Sequence, residues 1–140
     1  MRYIIMIMFS FFIFFGCKTN PINQIKNKQR EGLWIEEYPL DTIQFKSVGK
    51  YYKGDPIKKW CYYQNSKILK KEKYKKDICY TIFYNANGKI QSKGKTKLET
   101  TSQETHWFYF GNWQFYNNKG KLVLIKQYED GELKSEIKIQ

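Results

Sequence analysis

Two patterns of apolar and polar positions divide the chain. After the positively charged start Met1-Arg2-Tyr3, an apolar stretch runs from Ile4 to Phe15, and Gly16-Cys17 closes it before the polar Lys18-Thr19-Asn20-Pro21. Twelve residues are too few for a permanent membrane helix, which needs about 20, but they suit the core of a secretory signal. From Gly32 onward the pattern changes to short alternating runs between turn signals. Ile78, Tyr80, Ile82 and Tyr84 alternate with Cys79, Thr81 and Phe83, and Trp107, Tyr109, Trp113 and Phe115 alternate with Phe108 and Phe110. Alternation of this kind predicts half-buried strands, and no sustained i, i+3, i+4 stripe predicts a helix.

The turn signals keep a beat. Gly54-Asp55, Lys76-Asp77, Asn87-Gly88, Lys119-Gly120 and Asp130-Gly131 are tight-turn candidates, because Gly, Asn and Asp tolerate positive φ. Gly54 to Asp77 spans 23 residues, and Asp77 to Gly88 and Gly120 to Gly131 span 11 each. The unit is thus a hairpin of about 22 residues. The longer step from Gly88 to Gly120 predicts an insertion of about ten residues within 94–105, a polar segment expected to form an exposed loop. Residues 17–31 are expected to be a flexible tether, and 32–140 the repeat domain.

A small residue before a cysteine at the end of a signal resembles the lipobox of bacterial lipoproteins, although Phe14 and Phe15 stand where Leu and a small residue are usual. The resemblance implies a signal peptide over 1–16 and lipidation of Cys17, so that the protein holds to the membrane through an N-terminal lipid. An ordinary cleaved signal and an uncleaved anchor are the other readings of the segment. Under the same lipoprotein resemblance, Lys18 after the cysteine with no acidic run nearby implies the outer membrane, with the domain facing the periplasm.

Within the repeat, Trp113, Tyr116, Gly120, Leu122 and Tyr128-Glu129-Asp130-Gly131 form the clearest unit. Trp60, Tyr63, Lys67, Leu69 and Tyr74-Lys75-Lys76-Asp77 form a second, and Gly32-Leu33-Trp34, Tyr38 and Tyr51-Tyr52-Lys53-Gly54 a degenerate first. Tyr84-Asn85-Ala86-Asn87-Gly88 keeps the turn of another, with Thr81 in place of its Trp. This pattern resembles the MORN-repeat variant proteins, some of which carry an antitoxin label, and repeat-bearing lipoproteins of Bacteroidota. The resemblance implies an all-β, elongated antiparallel meander of stacked hairpins, in which Trp34, Trp60, Tyr63, Tyr84, Gly88, Tyr116, Gly120, Tyr128 and Gly131 are structural. It brings no catalytic residues. Stacked rings can supply the burial that a lone hairpin lacks.

The composition narrows the functional classes. Lys and Arg number 25 against 13 acids, a net charge of +12, which falls to +11 if Arg2 leaves with the signal. Nearly all of that charge is lysine, a hydrated point charge without the fork that reads phosphate bidentately. The lysines can solvate sheet faces and edges, or draw the protein to anionic lipid or envelope polymers. Cys61 and Cys79 are expected on strands separated by one other, hence about 10 Å apart and too distant for a disulfide; two buried thiols are expected.

Candidate chemistry is sparse. His106 has no metal-ligand partners near it, Glu36 and Glu37 are adjacent and point to opposite faces, Cys61 has no assignable base, and no nucleophile elbow or phosphate loop occurs. The expectation is a binding or scaffold module with no catalysis, no metal, no cofactor and no nucleic-acid partner. Trp107, Tyr109 and Trp113 are its candidate binding face, with a protein or a cell-wall polymer as partner. An antitoxin that neutralises a partner toxin and a binder of cell-wall polysaccharide or polyanion are the alternatives.

Overall fold

The computed structural model describes residues 21–100 and 105–140. The signal segment 1–16 and Cys17 lie outside the described residues. The described chain contains ten strands and no helix: β1 (Gln24–Lys26), β2 (Gln29–Leu40), β3 (Ile43–Tyr52), β4 (Asp55–Gln64), β5 (Lys67–Lys75), β6 (Ile78–Tyr84), β7 (Ile90–Thr100), β8 (Thr105–Tyr116), β9 (Leu122–Glu129) and β10 (Glu132–Lys138). They form one antiparallel sheet in sequence order, each strand beside its chain neighbours, and the sheet does not close into a barrel. The strands expected from the alternation are present, and the all-β antiparallel meander implied by the repeat resemblance is the fold observed.

Cross-strand partners share a face, so the register sorts the side chains. Trp34, Trp60, Cys79, Thr81, Trp113 and Tyr109 stand on one side, here the tryptophan face. Lys71, Lys73, Tyr80, Ile82, Lys93, Lys95 and Phe110 stand on the other, the lysine face. A single sheet has no second layer to cover either side. Its buried apolar residues are accordingly few among the described residues: Trp34, Trp60, Cys79, Phe108 and Trp113.

The tryptophans solve the burial problem by lying flat on the sheet. Trp60 covers Gly49 and Trp113 covers Gly94, each so closely that a Cβ on the glycine would fall inside the indole. Each ring is pinned by the same hydrogen bond, from indole Nε1 to the carbonyl following the glycine: Trp60 to Lys50 at 3.1 Å and Trp113 to Lys95 at 2.9 Å. The strand makes room with a bulge opposite each glycine. A left-handed residue stands two positions before the tryptophan in both, Lys58 at φ 59° and Gly111 at φ 65°. Gly32-Leu33-Trp34 repeats the local form, with Gly32 at φ 77°.

The repeat tyrosines split between the faces. Tyr63, Tyr84 and Tyr116 share the lysine face and each sits beside a register shift. Tyr128 lies on the tryptophan face, 5.0 Å from Tyr109. Gly88, Gly120 and Gly131 all have positive φ, as the turn assignment required. In the second unit, however, Ile68 rather than Leu69 is the partner that Leu122 represents in the unit of Trp113, because Tyr63 pairs Ile68 and Tyr116 pairs Leu122. The Asn65-Ser66 turn, with φ 47° and 62°, is shorter than the loop at Gly120, so Lys67 is a strand residue and not a substituted glycine.

Two expectations about irregular segments are corrected. Of the tether assigned to 17–31, the described part is mostly strand: β1 pairs with the start of β2 through a turn at Asn27-Lys28. Asn23 then clamps the edge, its side chain accepting from Ile35 N and donating to Ile35 O, both at 2.8 Å. Side-chain amides substitute here for the backbone of a missing neighbour. Of the loop assigned to 94–105, residues 101–104 lie outside the described residues, and the rest is strand, with Leu98 opposite Trp107, Glu99 opposite His106 and Thr100 opposite Thr105. This overhang projects past β6 and β9, so Leu98 and Trp107 are its only apolar side chains among the described residues and alternation is faint, although Thr favours the extended chain.

Cys61 and Cys79 are both free, on β4 and β6 with β5 between them. They also point to opposite faces. Cys79 is buried, but Cys61 is only half-buried.

Candidate binding site

The register places one position of every hairpin in a single row across the tryptophan face. In β3–β4 the row holds Gly49 and Trp60, and in β7–β8 it holds Gly94 and Trp113. In the intervening β5–β6 hairpin it holds Glu72 opposite Thr81. A glycine and a large flat ring are replaced by a carboxylate and a short hydroxyl. The ladder therefore has a gap, and a groove of about 230 Å³ lies over it.

Thr81, Cys79 and Thr96 form its floor, while Trp107, Tyr109, Trp113 and Tyr74 rise around it. The overhanging hairpin brings Trp107 to within 5.7 Å of Tyr74, ring centre to ring centre, in an edge-on arrangement. Tyr109 packs 4.5 Å from Trp113. The three candidate residues thus line one groove, with different duties. Trp113 is 2% exposed and spends its donor on Lys95, so it is a wall of the fold; Trp107 and Tyr109, 37% and 44% exposed, present ring surface to solvent.

Glu72 is the polar centre of the gap. Its Oε2 accepts from Tyr62 at 2.7 Å and Tyr74 at 2.8 Å, and Oε1 meets Lys70 at 2.8 Å. A carboxylate offers about four acceptor positions, so Oε1 retains one. Burial, reinforced by the Glu72 carboxylate, holds the Tyr62 and Tyr74 phenols well above their ordinary range. Burial likewise pushes the Cys79 thiol up, which makes it a poor nucleophile.

The tyrosine shifts have a consequence at high pH. The folded values are raised, so the stability they contribute is complete below about pH 10, the ordinary phenol value, and is lost as pH rises above it. The urea midpoint of the wild type is expected to fall more steeply between pH 9 and 11 than that of a Tyr62→Phe/Tyr74→Phe double variant. Equal slopes would mean the cluster does not hold these phenols neutral.

The remaining candidates do not converge. His106 sits exposed at the start of β8, edge-on to Phe108 at 5.6 Å. No group of three His, Cys, Asp or Glu side chains suited to a metal occurs among the described residues. Sequence reasoning missed Glu72, Tyr74 and Thr96; the signal available for them was the absence of a tryptophan at Thr81, which marks the gap. Compared with protein-family models, characterised proteins and solved structures, the chain matches none.

Proposed function

We propose that this protein is a non-catalytic binding module of the cell envelope, anchored by a lipid on Cys17, whose recognition site is the groove over Thr81. The observation that carries the reading is the gap in the tryptophan ladder: a fold held together by flat rings omits one and leaves exposed aromatic surface beside a carboxylate acceptor. The apolar stretch Ile4–Phe15 and its closing Gly16-Cys17 support the location. The MORN-like repeat supports a module that binds or scaffolds.

The groove suits one ring-shaped, uncharged unit. Trp107 and Tyr109 offer rigid faces for stacking, Thr81 and Thr96 offer hydroxyls, and Oε1 of Glu72 can accept from a ligand hydroxyl. A sugar ring has one apolar face and a rim of hydroxyls, and so meets each of these. Nothing in the arrangement favours a phosphate or a nucleophilic attack.

Two measurements test the reading. Intact mass and membrane fractionation of wild type and Cys17→Ala should show an acylated chain that begins at Cys17 and a variant that does not become acylated; an unprocessed chain starting at Met1 refutes the anchor. Titration with neutral oligosaccharides, followed by tryptophan fluorescence, should give a saturable change. Loss of a ring on which a nucleic-acid base stacks is worth about 1–3 kcal/mol; with the lower part of that range taken for a sugar face, Trp107→Ala should weaken binding about tenfold while Tyr38→Ala, at an exposed ring on β2, leaves it unchanged.

A further inference from the structure

The opposite face carries a second, chemically different feature. On β5, Lys71, Lys73 and Lys75 stand at alternate positions, and on β7 Lys93, Lys95 and Lys97 do the same. The register aligns them in three rungs, each bridged by a residue of β6. Those bridging residues are Ile82, Tyr80 and Ile78. The result is a channel along β6 with an apolar floor and a cationic bank on either side, the banks roughly 10 Å apart and their charges about 6.6 Å apart along each strand. An open depression of about 740 Å³ lies along the β5 bank, lined by Lys59, Lys71, Lys73, Lys75 and Tyr80 among others.

These lysines have no counterions of their own. None of the six is in an ion pair among the described residues. Across β5–β7 the lysine face holds a single carboxylate, Glu99, at the far end of β7 beyond Lys97. The nearest partners of three are rings instead: Lys71 lies 5.0 Å from the Tyr84 centroid, Lys93 5.4 Å from Tyr116 and Lys95 5.4 Å from Phe110. Protection of sheet edges does not account for them, since β5, β6 and β7 are interior strands of the ten. Six like charges spaced within a Debye length of about 8 Å or little more repel one another. An anion laid between the banks relieves that repulsion.

We infer that this channel binds a linear anionic polysaccharide, its charges reaching the two lysine banks and a sugar ring resting on Tyr80. Tyr80 is 45% exposed and sits at the middle rung, between Lys73 and Lys95. The charges come from lysine alone, which suits a spaced series of carboxylates or sulfates better than a bidentate phosphate. A bilayer is the weaker fit: the face belongs to a twisted sheet, so a plane meets few rungs together, whereas a chain can follow the channel. An extended peptide recognised by strand addition would use an open edge, and these strands have none. The choice of an envelope polymer rests on the location proposed above; the channel itself does not depend on the groove over Thr81.

The test uses the full chain in detergent micelles and titrates it with polygalacturonate oligomers, with dextran as the neutral control and phosphatidylglycerol vesicles as the lipid arm. Binding of polygalacturonate and not dextran is expected, weakening as salt rises. Lys73→Gln/Lys95→Gln should weaken it at least tenfold and Tyr80→Ala about fivefold. Lys26→Gln/Lys28→Gln, which removes equal charge from the β1–β2 turn, should leave it unchanged, as should Trp107→Ala. If the turn variant weakens binding as much as the rung variant, only net charge is at work and the channel is refuted. Rung-dependent binding to the vesicles without binding to polygalacturonate would also overturn it, in favour of a membrane surface. Because the polymer arm is read in solution, its failure is separate from a failure of Cys17 acylation.

Discussion

Trp113→Ala is expected to lower the unfolding free energy by about 4 kcal/mol, the range for truncating a buried tryptophan. The ring is 2% exposed, lies flat on Gly94 and donates to Lys95 O at 2.9 Å. Its loss uncovers Gly94 and the β7–β8 backbone and leaves Lys95 O without its donor, and no second layer of structure can move in to cover them. Small domains have about 5–15 kcal/mol in total, so the effect is a large share of the stability. Urea unfolding followed by far-ultraviolet circular dichroism measures it. Trp107→Ala, at a ring 37% exposed, should cost far less; equal costs would mean that the flat-lying ring is not the source of the stability.

Gly94→Ala is expected to cost about 3 kcal/mol, at the upper end for overpacking. The added methyl would occupy the space of the Trp113 indole, a rigid ring that must leave its seat and its hydrogen bond together. The contrast is Gly88, at φ 79° with open space around its missing Cβ. There alanine meets only the backbone penalty of the left-handed region, about 1–2 kcal/mol. If Gly88→Ala proves the more damaging of the two, contact between glycine and tryptophan is not what fixes the ladder.

The contrast between these glycines also explains how much of the molecule was legible in the sequence. Gly88, Gly120 and Gly131 announced turns because a tight turn is local chemistry, readable from two or three residues. Gly94 gave no such signal: its reason lies with Trp113, through a bulge whose existence no local pattern declares. Alternation placed Ile78–Tyr84 on a strand and sorted its faces, since each side chain there meets a different environment. It failed at Asn23, whose side-chain amide stands in for a strand neighbour, and over 98–100, where β7 extends past β6 and the polar side chains outnumber the apolar ones. Trp107, Tyr109 and Trp113 were recognisable as a group from their shared parity. Glu72 and Tyr74 were not, because the register that sets β5 beside β6 and β7, and so brings these two residues to the three rings, is a property of the whole sheet.

The two tryptophan locks reach back only a short way along the chain. Trp60 bonds to a carbonyl ten residues earlier and Trp113 to one eighteen residues earlier. In each hairpin the glycine seat comes first and the ring that closes it follows, and nothing later in the sequence is required to complete the closure. A polypeptide leaving a narrow exit with its N-terminus foremost therefore needs to hold only one unfinished hairpin at a time. Short-range closure of this kind is fast, and each finished hairpin offers the next an edge on which to grow.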